Sequence, residues 1–212
     1  MFEIIIALLI ILILLELPQI ITDTTAVTSY FANLVVKNNF HEIVKNKFYR
    51  AGKMSDKTLT EVLTKNKIKT VINLCLDQQF VAQEEEIVQA LGIVYYHCSM
   101  TGSEILSKPK ILDLISIYDQ LETPVLVHCD SGTHRSGVAT SIWLLNKESA
   151  FSDELIKKQL ALKYGYFKIE RKLKSFIMGC PTIDQTIWDY FDYKDNHREI
   201  TLTDWVKLPA AK

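Results

Sequence analysis

The first apolar positions along the chain come as one block. Residues 4–15 read IIIALLIILILL, with no polar side chain, between Glu3 and Glu16, and Leu17, Ile20 and Ile21 carry the block past Pro18. A membrane-spanning helix needs roughly 20 mostly apolar residues, a length that residues 2–21 just supply. A core helix of this size would show a polar stripe, and the block has none. The expectation is therefore a segment at residues 1–21 that meets a membrane, as a single-pass anchor or as a signal peptide. Met1, Phe2 and Glu3 lack the basic start of a signal peptide, and Thr24, Thr25 and Ala26 make a poor cleavage site, which favours the anchor.

Residues 22–39 are polar and read as a linker, and from residue 40 to residue 212 the pattern becomes that of a domain with a helical tail. Short β-branched or aromatic runs at 71–74, 93–97 and 124–128 predict buried strands, and residues 47–50 an edge strand. Between them lie helical spacings. Residues 55–66 open on Ser55 or Asp56 as a cap and place Leu59, Val62 and Leu63 on one face. Residues 79–91 stop at Gly92; there the run Glu84, Glu85, Glu86 reads as a solvated face. Residues 109–121, the strongly apolar 136–146, and 152–163 before Gly165 complete the set. From residue 171 the chain is helical in pieces, with Trp188 and Trp205 available for packing. Strands alternating with helices predict an α/β sheet.

Composition narrows the function. Among 212 residues, Lys+Arg is 24 and Asp+Glu is 25, a net charge of -1, so no basic excess points to nucleic acid. With 48% hydrophobic and 23% charged residues, wholesale disorder is excluded. The 4 cysteines are too few to build a disulfide scaffold at this length, and free thiols sit awkwardly in an oxidising compartment. Lys37, Lys45 and Lys47, the first basic residues after the apolar block, favour the cytoplasmic side for the domain. His41 and His97 are too scattered for metal ligands, and neither a metal nor another cofactor is expected.

The strongest chemical signal runs from Val125 to Gly137. A buried strand leads into Cys129, Arg135 follows after Asp130, Ser131, Gly132, Thr133 and His134, and Ser136 opens an apolar helix. A loop between a strand and a helix N-terminus turns successive backbone N–H groups inward as an anion nest. The helix dipole adds partial positive charge, and Arg135 a two-toothed donor for phosphate oxygens. A cysteine in that field ionises readily and attacks a bound phosphate as an in-line nucleophile, giving a phosphocysteine intermediate. Ser136 is placed to donate to the leaving sulfur. His128 reads as orienting the loop rather than transferring protons.

HCDSGTHRSG, residues 128–137, resembles the signature of the cysteine-dependent protein tyrosine and dual-specificity phosphatases. NFHEIVKNKFYRAGKMS at 39–55 with KTVINL at 69–74 is similar to the opening of the bacterial, membrane-anchored type, and QLALKYGYF at 159–167 resembles their stretch after the loop. The resemblance implies a sheet of four to five strands flanked by helices, no metal, and hydrolysis of phosphate monoesters. It makes Cys129 the nucleophile and Arg135 the phosphate binder, and it implies export for many relatives, against the charge distribution above. NLC at 73–75 resembles the matching segment of the tumour-suppressor phosphoinositide phosphatase, whose cysteine there forms a disulfide with its nucleophile. A reversible Cys75–Cys129 bond is what that likeness implies. The residues alone read Cys75 as a small buried hydrophobe, and Cys98 and Cys180 as structural.

The chain departs from the family at two places. His134 stands where bacterial relatives often have Asp. The stretch after residues 93–97, where the general-acid Asp usually lies, contains only Glu104 as a carboxyl. Glu104, Asp130 or no acid at all are the alternatives, beside a plain solvated glutamate. The expected function is a membrane-tethered phosphatase of phosphotyrosine or phosphoserine/threonine proteins. Its rivals are a phosphoinositide or inositol phosphate phosphatase, a weakly catalytic phosphate-binding module, and a rhodanese-like sulfur carrier. The Ser136–Gly137 pair and the family likeness disfavour the last.

Overall fold

The computed structural model describes residues 38–147, 151–166 and 182–209. Five strands, β1 (His41–Val44), β2 (Phe48–Ala51), β3 (Thr70–Asn73), β4 (Val94–His97) and β5 (Val125–His128), form one sheet in the order β1-β2-β5-β3-β4. β1 pairs antiparallel with β2, and every other pair is parallel. The helices are α1 (Asp56–Lys65), α2 (Gln78–Ala90), α3 (Lys108–Gln120), α4 (His134–Asn146), α5 (Asp153–Lys157), α6 (Gln185–Asn196) and α7 (Leu202–Lys207), with a 3-10 turn at Leu162–Tyr164.

Local signals explain most element ends. The Ser55 side chain accepts from the Thr58 N–H and caps α1; the Asp77 side chain accepts from Phe80 and caps α2. Gly92, with φ 70°, follows α2 in the left-handed conformation that lets the chain turn into β4. α4 is buried from Ser136 to Leu145, and its hydroxyls turn inward: Thr140 Oγ1 donates to the Ser136 carbonyl at 2.6 Å and Ser141 Oγ to that of Gly137 at 3.0 Å.

The period-2 alternation of a strand sends successive side chains to opposite faces. Phe48, Ile72, Val125 and Val127 face the larger core, beneath α3, α4, α6 and α7. Tyr49, Val71 and Leu126 face the smaller one, with Leu59 and Leu63 of α1 and Val88 of α2. Register then aligns the strand ends: Ala51 lies beside His128, His128 beside Asn73, and Asn73 beside His97. The C-terminal ends of four parallel strands make one rim, where α/β sheets place their ligands.

Several expectations change. Residues 47–50 are not an edge: β2 is sandwiched between β1 and β5 and buried throughout, and the edge strand on that side is β1. The helix expected over 152–163 stops after α5. The Gln159 carbonyl is taken by the Arg50 guanidinium at 2.7 Å, a buried charge that outcompetes a further helical turn. Trp188 and Trp205 pack on the larger core as expected, Trp205 edge-on to Tyr190 at 5.6 Å. Cys180 and the anchor read at residues 1–21 lie outside the described residues, as does most of the linker at 22–39. Among the described residues no helix is long and apolar enough to cross a membrane.

The β2–α4 contact is the seam of the larger core. Phe48 is fully buried, stacked on Trp143 at 4.3 Å between ring centroids and edge-on to Tyr118 at 6.3 Å. Phe48→Ala is expected to cost about 3–5 kcal/mol. That corresponds to a fall in the thermal midpoint on the order of 10 °C, to be read by differential scanning calorimetry.

Candidate active site: a loop with its carbonyls tied outward

The loop from Cys129 to Arg135 joins β5 to α4 at the strand rim, and each of four successive carbonyls in it is claimed from outside. Asp130 accepts from the Lys53 backbone N–H at 2.9 Å, and Ser131 from Asn39 Nδ2 at 3.0 Å. Gly132 and Thr133 both accept from Arg50 Nη2, each at 2.8 Å. In a trans peptide the C=O and the following N–H point opposite ways. Tying these carbonyls outward therefore aims the N–H groups of Ser131, Gly132, Thr133 and His134 into the loop. The N-terminus of α4, which has no side-chain cap, adds its dipole at the same place.

Gly132 makes the close fit possible. Its φ is 72°, and a Cβ there would lie 2.6 Å from the Gly52 nitrogen and 2.7 Å from the Ala51 carbonyl carbon, backbone atoms that cannot yield.

Cys129 lies at the base of this cradle, 1% exposed, its Sγ 3.5 Å from Ser136 Oγ. Arg135 stands at the rim. Its Nη1 donates to the carbonyls of Leu74 (3.2 Å) and Met100 (3.4 Å), which holds the guanidinium plane, and its Nη2 donates to the Asp130 carboxylate. Partial burial opposes ionisation of Asp130, but the Arg135 guanidinium, with help from Cys75 and Lys53, holds its carboxyl below the usual range. Asp130 is thus an anion at neutral pH and a poor proton donor. Burial likewise works against the Arg135 charge, and Asp130 and Cys129 more than offset it, so its pKa is raised.

Cys75, just past β3, reaches the same site. Burial first, then the charge of Asp130 and a hydrogen bond to its carboxylate, pushes this thiol up, with Cys129 contributing. Cys75 and Asp130 are therefore direct neighbours, and Cys75 and Cys129 lie within electrostatic reach of one another.

Behind the loop is a buried polar cluster that local sequence reading misses. His128 and Asn73 point to the smaller-core face, where Glu84 of α2 meets them. Glu84 Oε1 lies 2.7 Å from His128 Nε2 and accepts from Asn73 Nδ2 at 2.9 Å and from Tyr95 Oη at 3.2 Å. Glu84 is 2% exposed, so the reading of the Glu84–Glu86 run as wholly solvated is wrong at its first member. The helical turn of α2 points Glu84 inward with Val81 and Val88, and three partners offset the cost of burying it. Asn73 Oδ1 also accepts from the Cys75 N–H at 2.7 Å, linking the cluster to the end of β3. His128 accordingly orients the base of the loop.

Of the residues singled out in the sequence, Cys129, Asp130, Ser131, Gly132, Thr133, His134, Arg135 and Ser136 come together in one loop. His134 lies edge-on to Tyr166 at 5.4 Å, and Tyr166 donates to Asp184 at 2.7 Å. Glu104 is exposed on the segment between β4 and α3. That segment starts at the site, since Met100 supplies a carbonyl to Arg135. Arg50, Asn39 and Gln159 lie in stretches of family likeness, yet nothing in their local pattern marks them as supports of a loop some 80 or more positions away in the chain or nearby only through folding.

Removing Glu84 leaves His128, Asn73 and Tyr95 short of a partner. Glu84→Ala is expected to cost about 3–5 kcal/mol, as for breaking a buried pair, and Glu84→Gln clearly less. Thermal melts of the two variants check the order.

Comparison with known proteins places this geometry. The core catalytic domain of the PP-IP phosphatase SIW14 from S. cerevisiae, solved with citrate, is 16% identical, covers 77% of this chain and 96% of its own, and superposes with a TM-score of 0.51. Tk-PTP in its active form is also 16% identical, over 66% of this chain and 95% of its own, with a TM-score of 0.52. A putative phosphatase from Shewanella putrefaciens is 15% identical, over 68% and 91%, at 0.50. At these identities the likeness establishes the shared fold. No curated protein matches by sequence. Residues 46–149 match the profile of the family described as "Polymorphic toxin system, DSP-PTPase phosphatase". That span runs from the turn before β2 past the end of α4 and holds the entire Cys129–Arg135 loop, so residues 46–149 carry a DSP-PTPase phosphatase domain.

Proposed function

We propose that this phosphatase acts on phosphotyrosine or phosphoserine/threonine side chains of proteins, through a phosphocysteine intermediate at Cys129. The observation that carries the reading is the nucleophile's position: a thiol at the floor of an inward-facing N–H cradle, with Arg135 at its rim. The phosphate's nonbridging oxygens take the loop N–H groups of residues 131–134 and the Arg135 fork. Cys129 Sγ attacks phosphorus in line, a P–S bond forms, and the P–O bond to the side chain breaks. The leaving oxygen takes a proton from Glu104, carried by the segment that begins at Met100. Water then attacks phosphorus and passes a proton to the Glu104 carboxylate, restoring the acid, the P–S bond breaks, and Ser136 Oγ donates a hydrogen bond to the sulfur as it departs.

Asp130 has a different part. Its carboxylate occupies Arg135 Nη2, and an incoming phosphate competes for that donor. The 1% exposure of Cys129 favours phosphate borne on a stem, as on a tyrosyl side chain. Residues 1–21 tether the domain to a membrane in this reading, on the strength of the unbroken apolar run at 4–15.

One observation favours a second reading, an inositol phosphate or phosphoinositide substrate. Lys53, whose backbone N–H holds the Asp130 carbonyl, has a side chain 39% exposed, its Nζ 3.6 Å from the Asp77 carboxylate and over the Phe80 ring, a cation that a further phosphate group would draw from Asp77.

Three measurements check these assignments. Cys129→Ser is expected to lower turnover of an aryl phosphate by at least ~10³-fold. Glu104→Gln is expected to lower turnover of a phosphoserine peptide by about 10²-fold while sparing aryl phosphate, whose leaving group needs little protonation; equal rates on both substrates would remove Glu104 as the acid. Asp130→Asn is expected to keep phosphoserine turnover and to tighten inhibition by inorganic phosphate several-fold, on the order of one charge-assisted hydrogen bond released to the ligand. A kcat/KM higher for an inositol polyphosphate than for a phosphotyrosine peptide, lost in Lys53→Ala, would select the second reading.

A further inference from the structure

Arg50 is an unusual residue for the interior of a sheet. Among the described residues it is the largest fully buried side chain, at 0% exposure, in the middle of the β1-β2-β5 portion. No carboxylate faces it among the described residues. Its Nη1 donates to the Gln159 carbonyl at 2.7 Å and to Gln159 Oε1 at 3.3 Å, its Nη2 to the carbonyls of Gly132 and Thr133, and its Nε has no partner. The Tyr164 ring lies under it, 4.4 Å from guanidinium carbon to centroid. All of these partners are neutral. A buried charge is normally answered by an opposite one, because desolvation is expensive. Here it is answered only by dipoles, and it lies under the positive end of α4, where a cation is least welcome.

The fold makes room for it. Strand alternation sends Arg50 to the same face as Phe48, beneath α4. At that point α4 has Gly137, where a Cβ would come within 3.1 Å of Arg50 Nη2. The field of the guanidinium is felt nearby: burial, then Arg50, then Lys163 lower the His41 imidazole to about 4, leaving it neutral at physiological pH. Burial lowers Arg50 itself to about 10, with Tyr164 and Cys129 opposing, so it keeps its charge. The groups around it are therefore neutral His41, Tyr164 and Gln159, the cation Lys163, and the loop with Cys129, Asp130 and Arg135. The Asp130 carboxylate is held by Arg135, and no group in direct contact with Arg50 is charged, so an anion arriving in the loop meets a cation with no ion-pair partner.

We infer that Arg50 is a second cation of the phosphate site, a positioning residue that aims the N–H groups of Thr133 and His134 through their carbonyls and answers the bound phosphate's charge from beneath. The two roles reinforce each other. A cation on a carbonyl polarises the peptide, and the N–H at its other end becomes a stronger donor to an anion. Arg135 binds phosphate from the solvent side and can be displaced onto Asp130; Arg50 acts through the loop and never leaves. The inference rests on the phosphatase reading for the identity of the anion, but not on turnover.

The test is anion binding in the Cys129→Ser full chain, which cannot turn over. Tungstate affinity is measured by calorimetry in that background and with Arg50→Gln or Arg50→Lys added, folding being checked by circular dichroism and thermal melting. Arg50→Gln is expected to weaken tungstate about tenfold or more, and Arg50→Lys, which keeps the charge and loses the fork, by no more than about threefold. In the chain with Cys129 intact, lysine is expected to restore part of the kcat/KM that glutamine removes. A folded Arg50→Gln protein binding tungstate within twofold of its parent overturns the inference, and so does equal weakening by lysine and glutamine, which would leave only the shape of the side chain. Should Arg50→Gln not fold, the lysine variant decides alone: a tenfold loss of tungstate affinity overturns the inference. A wild type that binds tungstate with this Arg50 dependence but hydrolyses no phosphate ester would sink the proposed function and leave the cation in place.

Discussion

Four consecutive peptide groups held with their carbonyls outward are the constraint on which the site depends. A seven-residue loop has no hydrogen-bonding ladder of its own, and its N–H groups face inward only because other elements claim the opposite ends of the same peptides. The claimants come from the chain just before β1, from the interior of β2 and from the turn after it. That is why the short first hairpin matters to the chemistry. It carries no reacting group, yet it supplies Asn39, Arg50 and Lys53, and Gly52 lies where Gly132 must pass.

The sheet separates its two buried polar systems by face. Arg50 and the Gln159 carbonyl lie beneath α4, while His128, Asn73, Glu84 and Tyr95 lie beneath α2. Adjacent strands in parallel register put Arg50 and His128 one residue apart along the rim, so the side-chain period of two sends them to opposite sides. The loop that follows β5 is thereby held from both faces, its base through His128 and its arch through Arg50. Each system is costly unless satisfied, and together they specify one conformation for a loop whose own residues would allow many.

The cradle accounts for phosphate and says little about what the phosphate is attached to. That decision falls to groups at the mouth: Lys53, half-exposed; Asp130, which competes for Arg135; and the segment from Met100 to Glu104. The side chains of Lys53, Asp130 and Glu104 are exposed, while Met100 anchors its segment in the larger core.

The sequence by itself determined whatever is local. Strand periodicity located β3, β4 and β5; the cap at Ser55 located α1 and the stop at Gly92 located α2; and the run from Val125 to Gly137, with Cys129, Gly132, Arg135 and Ser136 at their spacing, displayed the anion nest because a strand, a loop and a helix start are contiguous in the chain. The tertiary structure alone decided the rest. In the sequence β2 reads as an edge, and its burial follows from a partner, β5, that lies far along the chain. Glu84 looked solvated among three glutamates until α2 docked on the face that carries His128 and Asn73. The helix after Ser152 ends early because a guanidinium from β2 takes its carbonyl. In each case the deciding partner, a strand, a docked helix face or a guanidinium, lies far along the chain, and hydrophobic patterning in one dimension records how far a residue is from water only when its partners are its neighbours in the chain.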